Sequence, residues 1–253
     1  MSEYYNPYSP TSVSAMQLSD EEMQVNATFI KNYMTSNYGW TLSAICGMLG
    51  NIQAESLMNP ARPQNNAVNN GWYPSAPGYT GNAPNPTTTW YGFGLWQITP
   101  YLALTGRRYN PYNYGYWALS NGYTFDYNTG GTGGNMEPQL IWLMSGNPEK
   151  NFYNDTEPSN NQRKWYQHSR SPDEASTPAI YGQLTSSPES CAETFYWNFE
   201  RSGSMNPGNR PSLAQAWYDY FNGGPTPPDP PEPGGGGKWL WLYSGNNKGW
   251  WVR

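Results

Sequence analysis

Everything else in this sequence has to be arranged around one apolar helix. From Trp40 to Ser56 the chain reads WTLSAICGMLGNIQAES, with Ile45, Met48, Leu49 and Ile52 at helical spacing. Thr41 is placed to cap its start, and Asn59-Pro60 closes it, because proline pushes the preceding residue out of the α region. Carrying the apolar stripe forward by a turn lands on Glu55 and Ser56. A carboxylate is thereby expected on a buried face at a helix C-terminus. There, lost water and the partial negative charge of the helix end both disfavour ionisation. A carboxyl kept protonated near neutral pH is what a general acid requires. Helix glutamates are more often solvated, and the face at a helix end is defined only to a residue or two, so this pattern alone leaves both readings open.

The rest of the chain surrounds that helix with few charges and many rings. Charged residues make up 12%, against about 25% in an ordinary domain. Aromatics reach 17%, and the chain holds 27 Gly and 24 Pro. This predicts a loop-rich protein whose buried Trp and Tyr tips need hydrogen-bond partners. At 253 residues it has room for one large domain or two small ones. A net charge of −5 argues against nucleic acid as partner and against attraction to anionic surfaces. Flat rings suit a neutral polar partner such as sugar, and they equally suit packing against protein. The two cysteines, Cys46 and Cys191, are read as buried free thiols rather than a bridge, with no secretory signal at the N-terminus and no apolar run long enough to span a membrane.

Taken in order, residues 1–17 read as an extended arm rich in Tyr and Pro. Ser19-Asp20-Glu21-Glu22 has the form of a capping box, and the helix after it sets Met23, Ala27, Ile30 and Met34 on one face and ends near Gly39. Residues 60–90 lack periodicity, and a long irregular segment inside a domain is more often functional than idle. Tyr91 to Pro100 (YGFGLWQITP) comes next, with two glycines that permit close backbone approach and Gln97 as its long hydrogen-bonding side chain. It is either an ordinary strand or hairpin, or a segment that contacts substrate. Helices are expected at 135–145, from Ser187 with Ala192, Phe195 and Phe199 as its stripe and Glu200 and Arg201 closing it, and at 211–221 with Leu213, Trp217 and Tyr220 inward. Residues 146–182 read as irregular, with His168 as a solvated loop residue. Residues 225–237 (PTPPDPPEPGGGG) form a linker, and 238–253 are a short Trp-rich tail or the start of a further module.

One histidine excludes a His-rich zinc site and makes a Ser-His-Asp or Cys-His arrangement a poor fit. No phosphate-binding glycine loop is present. Neither a metal nor a cofactor is expected. Carboxylates remain for acid–base work, and they are the tools of glycoside cleavage.

The segments Ala44 to Ser56, Gly92 to Pro100 and Phe199-Glu200-Arg201 together resemble the lysozyme domain of phage tail peptidoglycan hydrolases, such as those in the tail knobs of short-tailed Bacillus phages. The Gly-Leu-x-Gln segment is seen more loosely in goose-type lysozymes and lytic transglycosylases. The resemblance implies a mostly α, lysozyme-like α+β domain over 18–224, with a small β or loop segment lining a cleft. It implies cleavage of the peptidoglycan glycan strand between MurNAc and GlcNAc, with Glu55 as catalytic acid. Ser56, Tyr91, Gly94, Leu95, Trp96, Gln97 and Thr99 would contact the sugar, and Ser56 would hold the glutamate or a substrate group. Other phage tail proteins are the implied partners. The expected place is a virion assembled in the host cytoplasm without a signal peptide. The resembled proteins carry a zinc-dependent peptidase domain after such a linker, which the residues from 238 on do not supply.

An inverting hydrolase also needs a second carboxylate about 6.5–9.5 Å from the acid to activate water. Asp126, Glu137 and Glu200 are the candidates. With no such partner, the chemistry becomes that of a lytic transglycosylase, in which Glu55 acts as acid and then base and leaves an anhydro-sugar end. A structural or wall-binding tail-tip protein with a decayed site is the third reading.

Overall fold

The computed structural model describes residues 4–9, 12–63, 93–97, 114, 117–118, 121–124, 131–145, 164–200, 206–224, 240–244 and 248–252. Its described part is mostly helical. Helix α1 (Asp20–Tyr38) starts from a complete capping box: the Ser19 hydroxyl accepts from the Glu22 amide, and the Glu22 carboxylate accepts from the Ser19 amide. It stops at Gly39, whose φ of 64° is the left-handed conformation that glycine tolerates. Helix α2 (Leu42–Ser56) is capped by the Thr41 hydroxyl, which accepts from Ala44. It ends at Ser56, before the expected Asn59-Pro60 stop, because Leu57 turns left-handed.

Helix α2 is the centre of the described helices. Every residue from Ala44 to Gln53 is buried, so it has no solvent face over that span. Helices α5 (Pro188–Phe195) and α6 (Arg210–Phe221) pack against it, and α1 flanks it. Small residues permit the approach: a side chain on Gly47 would press on Cys191 and the Tyr181 hydroxyl, and one on Gly50 would press on the Arg210 carbonyl and Ala214. Most polar side-chain groups on the buried helix are matched among the described residues, the Asn51 amide oxygen being the exception. The Asn51 amide donates to the Gly47 and Ala192 carbonyls at 2.9 and 3.0 Å, and Gln53 accepts from the Trp217 indole at 2.8 Å.

Helix α3 (Met136–Met144) carries Leu140 and Leu143 into the core, and a short helix α4 (Pro178–Tyr181) comes after a Thr177 cap. Helix α4 lies where an irregular stretch was expected; Thr177-Pro178 is a cap and first-turn proline that the sequence displays. Its Tyr181 hydroxyl donates to the Ala44 carbonyl at 2.8 Å, and Trp165 packs among Tyr181, Phe195 and Phe199. Asp173 ties this region to α5: one carboxylate oxygen accepts from the hydroxyls of Ser186, Ser190 and Thr194 at 2.8–3.0 Å. His168 is half-buried rather than solvated, stacked on Trp197 at 5.0 Å. Both cysteines are free and buried, and burial pushes their thiols up, Cys191 to about 11.

The arm lies along the domain. The Tyr5 amide donates to Asn26 and the Asn26 amide returns to the Tyr5 carbonyl, both at 2.7 Å, while Asn59 donates to Pro7 at 2.9 Å. Met16, in a turn at Ser14–Met16, is fully buried. Strands β1 (Leu240–Ser244) and β2 (Lys248–Val252) form an antiparallel hairpin that pairs Leu240 with Val252 and Leu242 with Trp250. No described helix is long and apolar enough to cross a membrane.

Candidate active site

The chain leaves α2 through two consecutive left-handed residues, Leu57 (φ 53°) and Met58 (φ 63°). Such backbone costs a side-chain-bearing residue on the order of 1–3 kcal/mol and gathers at functional sites. Asn59 stabilises the reversal from within: its side chain donates to the Pro7 and Met16 carbonyls and accepts from the Ala61 amide. Arg62 then closes the loop onto the helix, its guanidinium reaching the Ser56 carbonyl at 3.4 Å.

The turn at residues 93–97 is built on this reversal. Phe93 bridges to Pro63, and the Arg62 carbonyl accepts both the Gly94 amide and the Gln97 side-chain amide at 2.8 Å. Gln139 on α3 seats the other side: its oxygen accepts from the Leu95 amide at 2.8 Å and its nitrogen donates to the Pro60 carbonyl at 2.6 Å. Gly94 has a φ of +78°, and any Cβ there would collide with the Gln139 amide. Gln97 is left-handed as well, at φ 45°. Among the described residues, all three left-handed non-glycine positions therefore lie at the end of the Glu55 helix and in the turn docked beside it.

Glu55, in the last turn of α2, has its side chain 19% exposed and is paired with the Nη2 of Arg210, which is 13% exposed. Arg210 opens α6. Its Nη1 donates to the Pro207 carbonyl at 2.9 Å, and its guanidinium carbon lies 5.0 Å from the centre of the Tyr196 ring. Tyr196 begins a π turn (Tyr196–Glu200) that continues α5, a distortion that occurs often at functional sites. The expected helix through Phe199 thus changes its winding after Phe195, while Phe199 stays buried as expected.

The expectations for Glu55, Ser56, Leu95 and Trp96 need correction. Glu55 is half-buried rather than buried, and its carboxyl group is paired with the Arg210 guanidinium. The deep position belongs to Ser56, whose hydroxyl donates to the Ile52 carbonyl at 3.1 Å. Ser56 is fully buried, so its hydroxyl stays within the fold. Leu95 and Trp96 are also core residues, Trp96 packing on Phe199 at 5.4 Å and Trp142 at 6.2 Å. Their side chains belong to the core, while Gln97 is half-buried and its amide donates to the Arg62 and Gly94 carbonyls.

Of the candidate second carboxylates, Glu137 accepts from the Tyr4 hydroxyl at 2.6 Å and so serves the arm. Glu200 is half-buried at the end of the π turn. The structure brings neither into hydrogen-bond contact with Glu55. Tyr91, Thr99 and Asp126 lie outside the described residues. Among the described residues no three His, Cys, Asp or Glu side chains gather as a metal site. Sequence reasoning missed Arg210, which lies 155 positions from its partner and is marked only by a following proline at a helix start.

Residues 25–221 match the family described as phage tail lysozyme. Over 209 residues the chain is 30% identical to Morphogenesis protein 1 of Bacillus phage B103. That alignment takes in 81% of this chain and 42% of the relative, so the chain spans about two fifths of the relative's length. With the family match running from α1 through the Glu55 helix and the 93–97 turn to the end of α6, the chain belongs to the phage tail lysozyme family.

Proposed function

We propose that this chain is a tail-associated enzyme that cleaves the glycan strand of bacterial peptidoglycan between MurNAc and GlcNAc, with Glu55 as proton donor. The observation that carries this reading is the Glu55 carboxylate: half-buried, paired with Arg210, and just before the left-handed Leu57-Met58 reversal at the end of α2. Glu55 gives its proton to the glycosidic oxygen. The bond from that oxygen to the sugar's anomeric carbon breaks with its electrons on the oxygen, and positive charge develops on the ring left behind. Gln97 and the backbone of the turn line the sugar path, and Tyr91 and Thr99 are further candidates for sugar contact. The unit over 18–224 carries the chemistry, and 225–237 tethers the hairpin residues to it. A role in the virion alongside other tail proteins is supported by the family's tail membership and by the relative's description as a morphogenesis protein.

Hydrolysis requires a base for water, drawn from Asp126, Glu137 or Glu200. A second reading, a lytic transglycosylase, needs no such base. There Glu55 takes a proton back from the sugar's own hydroxyl as that oxygen attacks the anomeric carbon. Mass spectrometry of purified peptidoglycan digested by the full chain tests both. Hydrolysis leaves reducing ends and transglycosylation leaves anhydro ends. Release of no glycan fragments above a heat-inactivated control overturns the enzymatic assignment and leaves a structural or wall-binding tail protein.

A further inference from the structure

Arg210 is held where it is by groups other than Glu55. Its Nη1 donates to the Pro207 carbonyl, the Tyr196 ring lies beneath its guanidinium, and its backbone is the first residue of α6, with a proline next to it that fixes the turn. The Arg210 carbonyl abuts Gly50, so the start of α6 has no room to move toward α2. The guanidinium is thus preorganised: protonating Glu55 removes one of its partners and leaves the others. Charged groups stand on every element packed against α2, including Lys31 on α1, Arg62 on the turn after α2, Glu189, Glu193 and Glu200 on α5 and its continuation, and Asp219 on α6. Among the described residues Glu55 forms an ion pair with Arg210 alone.

Resting on the proposed role of Glu55, we infer that Arg210 is a positioning residue for the proton donor, aiming its carboxylate and stabilising the charge it acquires as the proton leaves. A fixed cation facing a carboxylate lowers the energy of the state reached after proton transfer and costs no reorganisation at that moment. Taking the cation away raises the energy of an ionised carboxylate relative to a protonated one.

The test is the pH dependence of glycan release by the full chain, its Arg210→Gln and Arg210→Lys variants, and Tyr196→Leu, read beside a carbon-13 NMR titration of the Glu55 carboxyl. The titration needs no activity, and thermal melting reports folding for each protein. Arg210→Gln is expected to move both the alkaline limb of the rate and the Glu55 titration to higher pH, and to lower the plateau rate at least about tenfold. Arg210→Lys keeps the charge but not the fork, so its limb stays near the parent's while its plateau falls. Tyr196→Leu loosens the seat and moves the titration in the same direction by less, which serves if Arg210→Gln does not fold. A Glu55 titration that coincides in the parent and the folded variants overturns the inference and reduces Arg210 to a structural staple. Glu55→Gln separates the two readings: if that variant stays active, the role of Glu55 itself has failed.

Discussion

Lys164 shows how a single buried charge ties stability to pH. Its ammonium donates to the Trp142 carbonyl at 2.5 Å and to the Ser145 hydroxyl at 2.9 Å, and sits 5.0 Å from the Trp142 ring centre. Burial pushes it down to about 7, although the carbonyls at the end of α3 and the ring face favour the charge. An unfolded lysine titrates near ~10.4. Between about pH 7 and 10 the unfolded chain therefore binds a proton that the folded chain does not, so stability rises with pH across that window and the penalty is complete below it. Urea unfolding of the parent and Lys164→Met at pH 7 and 9 checks this: the parent gains stability between the two and the variant gains less. Equal pH slopes contradict it. Individual residues were the least legible level in the sequence. Glu55 and Ser56 are neighbours on one stripe, but on a helix buried all round a stripe no longer says which residue lies deepest. Leu95 and Trp96 sit in a glycine-rich segment that resembles a cleft wall, and their apolar side chains went where apolar side chains go.

Elements were more legible, because their signals are local. The capping box at Ser19, the Thr41 cap, the proline in the first turn of α3 and the glycine at the end of α1 stand where short-range rules put them. The π turn after Phe195 was not legible, since it answers to Trp165, Trp96 and Trp142 packing on Phe199, contacts with distant parts of the chain. Gly50 belongs to this scale. Its hypothetical Cβ lies 2.8 Å from the Ala214 amide nitrogen and closer still to the Arg210 carbonyl, both backbone atoms that cannot rotate away. Gly50→Ala is expected to cost about 1–3 kcal/mol, as overpacking does, and to lower the thermal midpoint while pushing Arg210 off its seat. An unchanged midpoint contradicts the close approach of α2 and α6.

For the whole molecule, the sequence indicated a mostly helical domain but not what holds its distant parts together. The arm is the clearest case. Asn26 and Asn59, both fully buried, spend amide hydrogens on the carbonyls of Tyr5 and Pro7, and Tyr4 reaches Glu137 across 133 residues. Removing residues 1–9 leaves those buried amides short of partners, at about 1–3 kcal/mol for each group. The expected result in differential scanning calorimetry is a midpoint lower by about 5 °C or more. A midpoint equal to the parent's shows that the arm is not part of the fold. The expected β or loop lining of the cleft falls mostly on residues 64–92 and 98–113, outside the described residues.

Glu55→Gln keeps the size of the side chain and an oxygen for Arg210, and removes the proton that the proposed chemistry transfers. Cell-wall suspensions treated with the full chain and with this variant, matched by circular dichroism for folding, give the decisive comparison. The expected result is a native spectrum with clearing slowed at least about a hundredfold; clearing at the parental rate would show that Glu55 is not the acid.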